Sequence, residues 1–358
     1  MLQGTVRVLI CDDSAVARQF IARAVEGVPG IDIAGRASSG EEAVRMVGIV
    51  KPDVITMDVE MPGMGGIEAV RRIMREAPTP ILMVSSLTHE GSRVTMEALN
   101  AGALDFVPKP ANQEEAHHLG AIVAEKILQL GERGRQALLL QTRQGAQAMT
   151  APVPPPPPVP VAAPRGAAPP LVIIGSSTGG PRALFSVVPR LPRDFHASVL
   201  IVQHMPPGFT KSLAERLNEQ GPLPAREAEE GEELRRAVVR VAPAGHHLVV
   251  AGRLLKLQDT PTEHGVRPAV DVTLRTAAAS YPGPVVTAIL TGMGRDGTDG
   301  ARRVHEVGGR VIAESERTAL IYGMPKSVVE AGVADSISDL GSVADEITRF
   351  VEEASRAR

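Results

Sequence analysis

Short apolar runs alternate with amphipathic segments along two stretches of this chain, and a proline-rich tract separates them. In the first stretch the apolar runs predict strands at 6–11, 31–36, 54–57, 81–85 and 106–107. Helices are expected to begin near Ala15, Gly40, Gly66, Ser92 and Asn112. Five βα units in a row imply a parallel sheet covered on both faces. Leu119, Ile122, Val123, Ile127 and Leu130 then form the stripe of an amphipathic helix within residues 113–140. In the second stretch strands are predicted at 171–174, 198–202, 238–242, 247–250, 254–257, 285–290, 310–313 and 333–336. Helices are predicted after Pro181 and over 208–220, 268–280, 298–307, 324–330 and 342–356. The segment 247–257, turning at Ala251-Gly252, reads as a β-hairpin. A doubly wound, mainly parallel α/β domain with an antiparallel hairpin is the expected architecture.

Residues 151–170 are dominated by proline and carry one charge, Arg165. Such a tract forms neither helix nor sheet, and as a polyproline-II spacer it spans about 60 Å. A ligand for a proline-binding domain is the other reading of it. The expected division is therefore a first domain over 1–130, a linker over 131–170 that is helical and then proline-rich, and a second domain over 171–358.

Composition narrows the function. Of the 358 residues, 22% are charged and 43% hydrophobic, as in ordinary soluble globular protein. A net charge of -3 gives no basic field for nucleic acid, and with Trp 0 and Tyr 2 there are few aromatics to stack bases. One cysteine, Cys11, excludes an internal disulfide and fits a reducing compartment. The N-terminus MLQGTVRVLI lacks a basic n-region, and no apolar run is long enough to span a bilayer. A cytoplasmic protein without membrane insertion is expected.

In parallel sheets the working groups sit at the C-terminal ends of strands. In the first domain those ends carry Asp12, Asp13, Asp58, Ser85 and Lys109. Taken singly, each aspartate reads first as a helix cap or loop residue. Three carboxylates converging on one crevice repel one another, and a hard divalent cation with oxygen ligands relieves that repulsion. Lys109 offers a positive charge and Ser85 a hydroxyl, both suited to a phosphoryl oxygen.

These residues, in the segments ICDDS, ITMDVEMPGMGG, MVSSLT and DFVPKP, resemble a response-regulator receiver domain over residues 1–125. The resemblance implies a flavodoxin-like receiver whose Asp58 takes a phosphoryl group from a histidine kinase. It also implies Mg²⁺ held by Asp12, Asp13 and Asp58, phosphate sensing by Ser85 and Lys109, and an aromatic switch at Phe106. The bond Lys109-Pro110 is often cis in that family.

In the second domain, LVIIGSSTGGP places Ser177 between Gly175 and Gly179 directly after an apolar run. That is the spacing of a nucleophile elbow, and equally of a glycine-rich phosphate loop or a plain turn. His204, in IVQHMPPGF, follows the next strand, and Asp296, in AILTGMGRDG, follows a later one. A serine hydroxyl needs a base, and the base an orienting partner, so Ser177, His204 and Asp296 together form a candidate triad. Glycines at 292, 294 and 297 free the Met293 amide to face a substrate. Competing residues are His246, His247, His264 and His305 for the base, Asp299 and Asp271 for the acid, and Ser176 for the nucleophile. Loop histidines are usually solvated, and Asp271 suits the start of a helix.

GSSTGGP, QHMPPGF, VRPAVD, LTGMGRDG and ALIYGMP, in this order behind a receiver, resemble the catalytic domain of chemotaxis protein-glutamate methylesterases. The resemblance covers essentially the whole chain. It implies Ser177 as nucleophile, His204 as base and Asp296 as its orienter, with Thr178 and Met293 shaping the site and oxyanion hole. Arg295 stands where Asn is common, and Ala269 where Ser is common. The implied reaction is hydrolysis of glutamate methyl esters, with deamidation of glutamines, on methyl-accepting chemoreceptors. The implied phosphodonor is a chemotaxis histidine kinase, and the esterase reaction is expected to need no cofactor. The unphosphorylated receiver is expected to cover the Ser177 cleft. Three other readings are a receiver-controlled esterase of a non-chemotaxis pathway, a docking module that only binds, and a DNA-binding regulator. The last is disfavoured by the charge.

Overall fold

A computed structural model of the chain describes residues 5–86, 88–110, 119–134 and 168–356. It divides into two compact units, Met1–Leu139 and Leu140–Arg358. The expected helix start near Asn112 and the proline-rich segment 151–167 lie outside the described residues.

The first unit runs β1 (Val6–Cys11), α1 (Ala15–Val25), β2 (Ile31–Ala37), α2 (Gly40–Val50), β3 (Val54–Asp58), α3 (Gly65–Glu76), β4 (Ile81–Ser85), α4 (His89–Ala101) and β5 (Asp105–Pro108). A further helix, α5, covers residues 119–134. The strands form one parallel sheet in the order β2-β1-β3-β4-β5. Every residue of β3 and β4 is buried, because helices pack on both faces and leave no side for polar alternation. Helix starts are capped as their sequences dictate. The Ser14 hydroxyl accepts from the Ala17 amide, and the Ser39 hydroxyl from the Glu42 amide. Helix α4 starts three residues before the expected Ser92, because the Thr88 hydroxyl caps it through the Gly91 amide.

The second unit contains β6 (Leu171–Ser176), α6 (Gly180–Val187), β7 (Ser198–Gln203), α7 (Phe209–Gln220), β8 (Ala225–Glu227), β9 (Val238–Val241), β10 (His247–Ala251) and β11 (Leu254–Gln258). It continues through α8 (Val270–Ser280), β12 (Val285–Ile289), α9 (Thr298–Glu306), β13 (Arg310–Glu314), α10 (Met324–Glu330), β14 (Ser336–Ser338) and α11 (Leu340–Arg356). Seven strands form a parallel sheet in the order β14-β13-β12-β6-β7-β9-β8, and β10 and β11 form the antiparallel hairpin. The α/β class, the parallel sheets and the hairpin agree with the sequence reading. Two details differ. The three-residue β8 is too short to leave a periodic signal. The last strand begins at Ser336 rather than at 333, because Gly332, at φ 70, turns the chain just before it.

Strands β6, β7 and β12 stand side by side at the sheet centre, and all their residues are buried. The helices that follow them share one device. Gly179, Gly208 and Gly297 occupy the N-cap positions of α6, α7 and α9 with φ 78, 87 and 94. This left-handed turn is open to glycine at little steric penalty. It reverses the chain sharply, so the residues just before it are gathered at the strand ends. Among the described residues no helix is long and apolar enough to cross a membrane.

Candidate functional sites

Ser177 and His204 are neighbours because their strands are. Ser176 pairs with Gln203 in the parallel register of β6 and β7, and the His204 amide donates to the Ser176 carbonyl at 3.1 Å. Each candidate thus lies one residue past a register pair. The buried Gln203 side chain stitches the two ends together. Its Nε2 donates to the carbonyls of Ser177 at 2.8 Å and His204 at 3.0 Å, and its Oε1 accepts from the Ser176 hydroxyl at 2.7 Å. A third strand end joins them through the Ser177 amide, which donates to the Thr291 carbonyl at 3.0 Å.

Asp296 reaches this edge from the loop between β12 and α9. His204 Nε2 lies 2.7 Å from Asp296 Oδ2. Asp296 is 2% exposed, and its two oxygens also accept the amides of Val270 at 2.7 Å and Asp271 at 2.8 Å. Those amides open α8, whose own N-cap, Ala269, has no side-chain acceptor. Asp296 therefore caps α8 from outside and fills the place that Ala269 leaves empty. Burial pushes its carboxyl up, but the His204 bond and the two amides outweigh burial and hold it below the usual carboxylate range. An ionised carboxylate only accepts hydrogen bonds, so Nε2 carries the imidazole proton and Nδ1 is the basic nitrogen.

The competing residues have other partners. Ser176 is fully buried against Gln203. His247 is buried, with Nε2 on the Pro261 carbonyl at 3.0 Å and Nδ1 accepting the Ala269 amide at 3.2 Å. His246 pairs with Asp259, His305 lies 3.7 Å from Asp335, and Asp299 lies on the surface of α9 with Arg295 and Arg302. Arg295 is exposed. Asp271 and His264 sit closer to the site than their sequence context suggested. Asp271 is fully buried, accepts the Gly300 amide at 2.6 Å, and meets His264 Nε2 at 2.8 Å. His264 Nε2 is also 3.9 Å from Asp296 Oδ1. Glu263, His264 and Asp271 have donor atoms close enough to share a metal ion, but Glu263 already makes a bidentate pair with Arg275, both contacts at 2.6 Å.

The Met293 amide donates to no carbonyl among the described residues, whereas the Gly292 amide before it is held by the Ile321 carbonyl at 3.0 Å. Thr178 is buried beside Ser177, and its carbonyl accepts the Thr291 hydroxyl at 2.9 Å. Gln203 and Thr291 went unnoticed in the sequence. The QH and TG neighbours of the motif residues were the available signal.

In the first unit Asp12 and Asp58 are buried and Asp13 is exposed. Lys109 Nζ lies 3.0 Å from Asp12 Oδ2 and 2.8 Å from Asp58 Oδ2. Burial pushes the Asp58 carboxyl up to about 6, against the pull of Lys109 and with a further push from the Asp12 charge. Burial pulls the Lys109 ammonium down, but its bonds to Asp58 and Asp12 outweigh that and raise it. Cys11, behind the site, is pushed up to about 12 by burial and by the charges of Asp12 and Asp58, so it is a thiol and not a nucleophile. Oxygens of Asp12, Asp13 and Asp58 lie within 4.8 Å of one another. Asp12 Oδ2 meets Lys109 as an ion pair and accepts no hydrogen bond of good geometry. An all-oxygen set with an unsatisfied buried oxygen fits a hard divalent cation. The Ser85 hydroxyl instead donates to the Gly91 carbonyl at 3.1 Å and accepts from Thr95 at 2.6 Å. The cis bond among the described residues is Arg267-Pro268, and Lys109-Pro110 is trans.

The CheB methylesterase family model matches residues 172–347, and the response regulator receiver domain model matches residues 8–119. A protein-glutamate methylesterase/protein-glutamine glutaminase of Thermotoga maritima is 42% identical over 357 residues, covering 98% of this chain and 100% of the relative. One of Symbiobacterium thermophilum, with the same description, is 43% identical over 360 residues, covering 98% and 99%. The crystal structure of the Thermotoga maritima CheB methylesterase catalytic domain is similar at 44% identity and a TM-score of 0.50. It covers 52% of this chain and 99% of that one.

Proposed function

The chain belongs to the CheB methylesterase family and carries a response regulator receiver ahead of the esterase, and we propose that it demethylates glutamate methyl esters on chemoreceptors through Ser177, His204 and Asp296. It is a hydrolase of chemotaxis adaptation, a protein-glutamate methylesterase and protein-glutamine glutaminase.

The observation that carries the residue assignment is the 2.7 Å contact between His204 and Asp296 beside the Ser177 turn. His204 Nδ1 takes the Ser177 proton as the hydroxyl oxygen attacks the ester carbonyl carbon. Asp296 stabilises the imidazolium that results. Collapse of the tetrahedral intermediate breaks the ester C–O bond, and His204 returns the proton to the departing methanol. Water, deprotonated by His204, then attacks the acyl-enzyme, freeing the glutamate and restoring Ser177. The Met293 amide has no other partner among the described residues, which supports it as the donor to the oxyanion. With a glutamine side chain the same steps release ammonia.

Asp58 is the phosphoacceptor, and Asp12, Asp13 and Asp58 would hold Mg²⁺. The cation supplies charge neutralisation, which lets a phosphoryl group approach an anionic carboxylate. The pairing of Lys109 with both buried carboxylates supports its role in sensing the new phosphoryl charge. A chemotaxis histidine kinase is the proposed donor. Methanol release from methylated chemoreceptor is the test. A small-molecule phosphodonor with Mg²⁺ should raise the rate of the wild type and leave Asp58→Asn unchanged. An equal rise in both would remove Asp58 from the account.

A further inference from the structure

One buried carboxyl has no place in the chemistry above. Glu314 ends β13, at the same edge of the sheet as Ser177 and His204, and is 0% exposed. Its Oε2 accepts the Thr291 amide at 2.8 Å, and its Oε1 accepts the Thr318 hydroxyl at 3.0 Å. No cation pairs with it among the described residues. The charged side chains around β13 turn elsewhere: His305 and Arg310 to Asp335, Lys326 to Glu330, Arg317 to Asp339.

Thr291 is the hinge of the catalytic edge. Its carbonyl holds the Ser177 amide at 3.0 Å. Its hydroxyl donates to the Thr178 carbonyl at 2.9 Å and accepts the Ile321 amide at 2.9 Å. The Ile321 carbonyl in turn holds the Gly292 amide, and the Gly292 carbonyl accepts the Met324 amide at 2.9 Å. The fit is close, since a Cβ at Gly292 would lie 2.8 Å from the Ser177 Cβ. The nucleophile turn and the loop bearing Met293 thus share one anchor, and Glu314 grips it from behind.

We propose that Glu314 is a positioning residue for the esterase reaction, fixing through Thr291 both the Ser177 turn and the Met293 loop, and serving in its neutral form. The proposal rests on the reading of Ser177 and Met293 given above. Neutrality matters because the reaction gathers negative charge at the oxyanion, and a buried anion behind the same loop opposes it. As a neutral acid, Glu314 keeps a carbonyl for the Thr291 amide and reverses the 3.0 Å bond to Thr318, donating its proton where the carboxylate accepts the hydroxyl. Burial pushes the carboxyl up to about 7, against the pull of the Thr291 amide and the Thr318 hydroxyl, so both forms occur near neutral pH. Glutamine reproduces the hydrogen bonding of the neutral acid and cannot ionise. Leucine leaves the Thr291 amide without an acceptor.

The experiment compares methanol release from methylated chemoreceptor by the wild type, Glu314→Gln and Glu314→Leu across about two pH units on either side of neutrality. The ratio of Glu314→Gln to wild-type kcat should rise by about threefold or more from the acid to the alkaline end, with KM unchanged. Glu314→Leu, where folded by its thermal melt, should lose about 10²-fold in kcat. Parallel profiles for the wild type and Glu314→Gln overturn the proposal, whatever Glu314→Leu does. A wild type that releases no methanol at any pH faults the esterase reading instead.

Discussion

His204 Nε2 and Asp296 Oδ2 lie 2.7 Å apart, and the same Asp296 oxygen accepts the Val270 amide that opens α8. One carboxylate thereby orients the imidazole and caps a helix. Asp296→Asn is expected to lose on both counts. An amide facing His204 no longer fixes the proton on Nε2, and activity should fall about 10³- to 10⁴-fold. The helix loses an anionic cap, and stability should fall by about 1–2 kcal/mol. Methanol release and thermal unfolding, measured on one preparation, check both losses. An inactive variant of unchanged stability would separate Asp296 from capping.

Gln203 makes the second prediction. Gln203→Met keeps the volume but strips the bonds to the Ser177 and His204 carbonyls. It should lower kcat by about 10- to 10²-fold at similar KM, through misplacement alone. Gly180→Ala should act on the same residue by another route, because its Cβ would lie 1.9 Å from Gln203 Oε1. Full kcat in both folded variants would show that the carbonyl stitch is dispensable.

The receiver gives a pH-dependent prediction. The folded chain raises the Asp58 carboxyl from 3.8 to about 6, so it holds that proton more tightly than the unfolded chain does. The resulting stability is fully present below the unfolded value and is lost as pH rises through the folded value, a window of about pH 4 to 6. At neutral pH the ionised Asp58 strains the receiver. Asp58→Asn should therefore stabilise the receiver unit in metal-free protein at neutral pH, by about 1–3 kcal/mol, and much less in acid. Mg²⁺ should stabilise the wild type and not the Asn variant. Calorimetry of the full chain at two pH values, with and without Mg²⁺, decides it. A lower transition for Asp58→Asn at neutral pH would contradict the burial argument.

The fold was legible because strands buried on both faces read as continuous apolar runs, and their ends mark where side chains can meet. Ser177 and His204 were singled out that way, and each lies one residue past its strand. Other contributions depend on which strand lies beside which, and no local pattern records that. Gln203 looks like any strand-terminal polar residue until β6 is placed beside β7. Glu314 looks like an exposed strand end until Thr291 is seen behind it. His264 reads as a solvated loop residue, yet at φ 54 its backbone turns beside Asp271 and Asp296. Asp296 illustrates the same limit. It partners His204 and also caps a helix, and that helix is α8 rather than the one that follows it in the chain.

The most direct test of the triad is Ser177→Ala. The hydroxyl makes no hydrogen bond on which the fold depends among the described residues, so the variant should melt like the wild type. With methylated chemoreceptor it should release methanol more slowly by about 10⁴-fold or more, at or near background. Wild-type methanol release from folded Ser177→Ala protein would contradict the assignment of the nucleophile and the mechanism built on it.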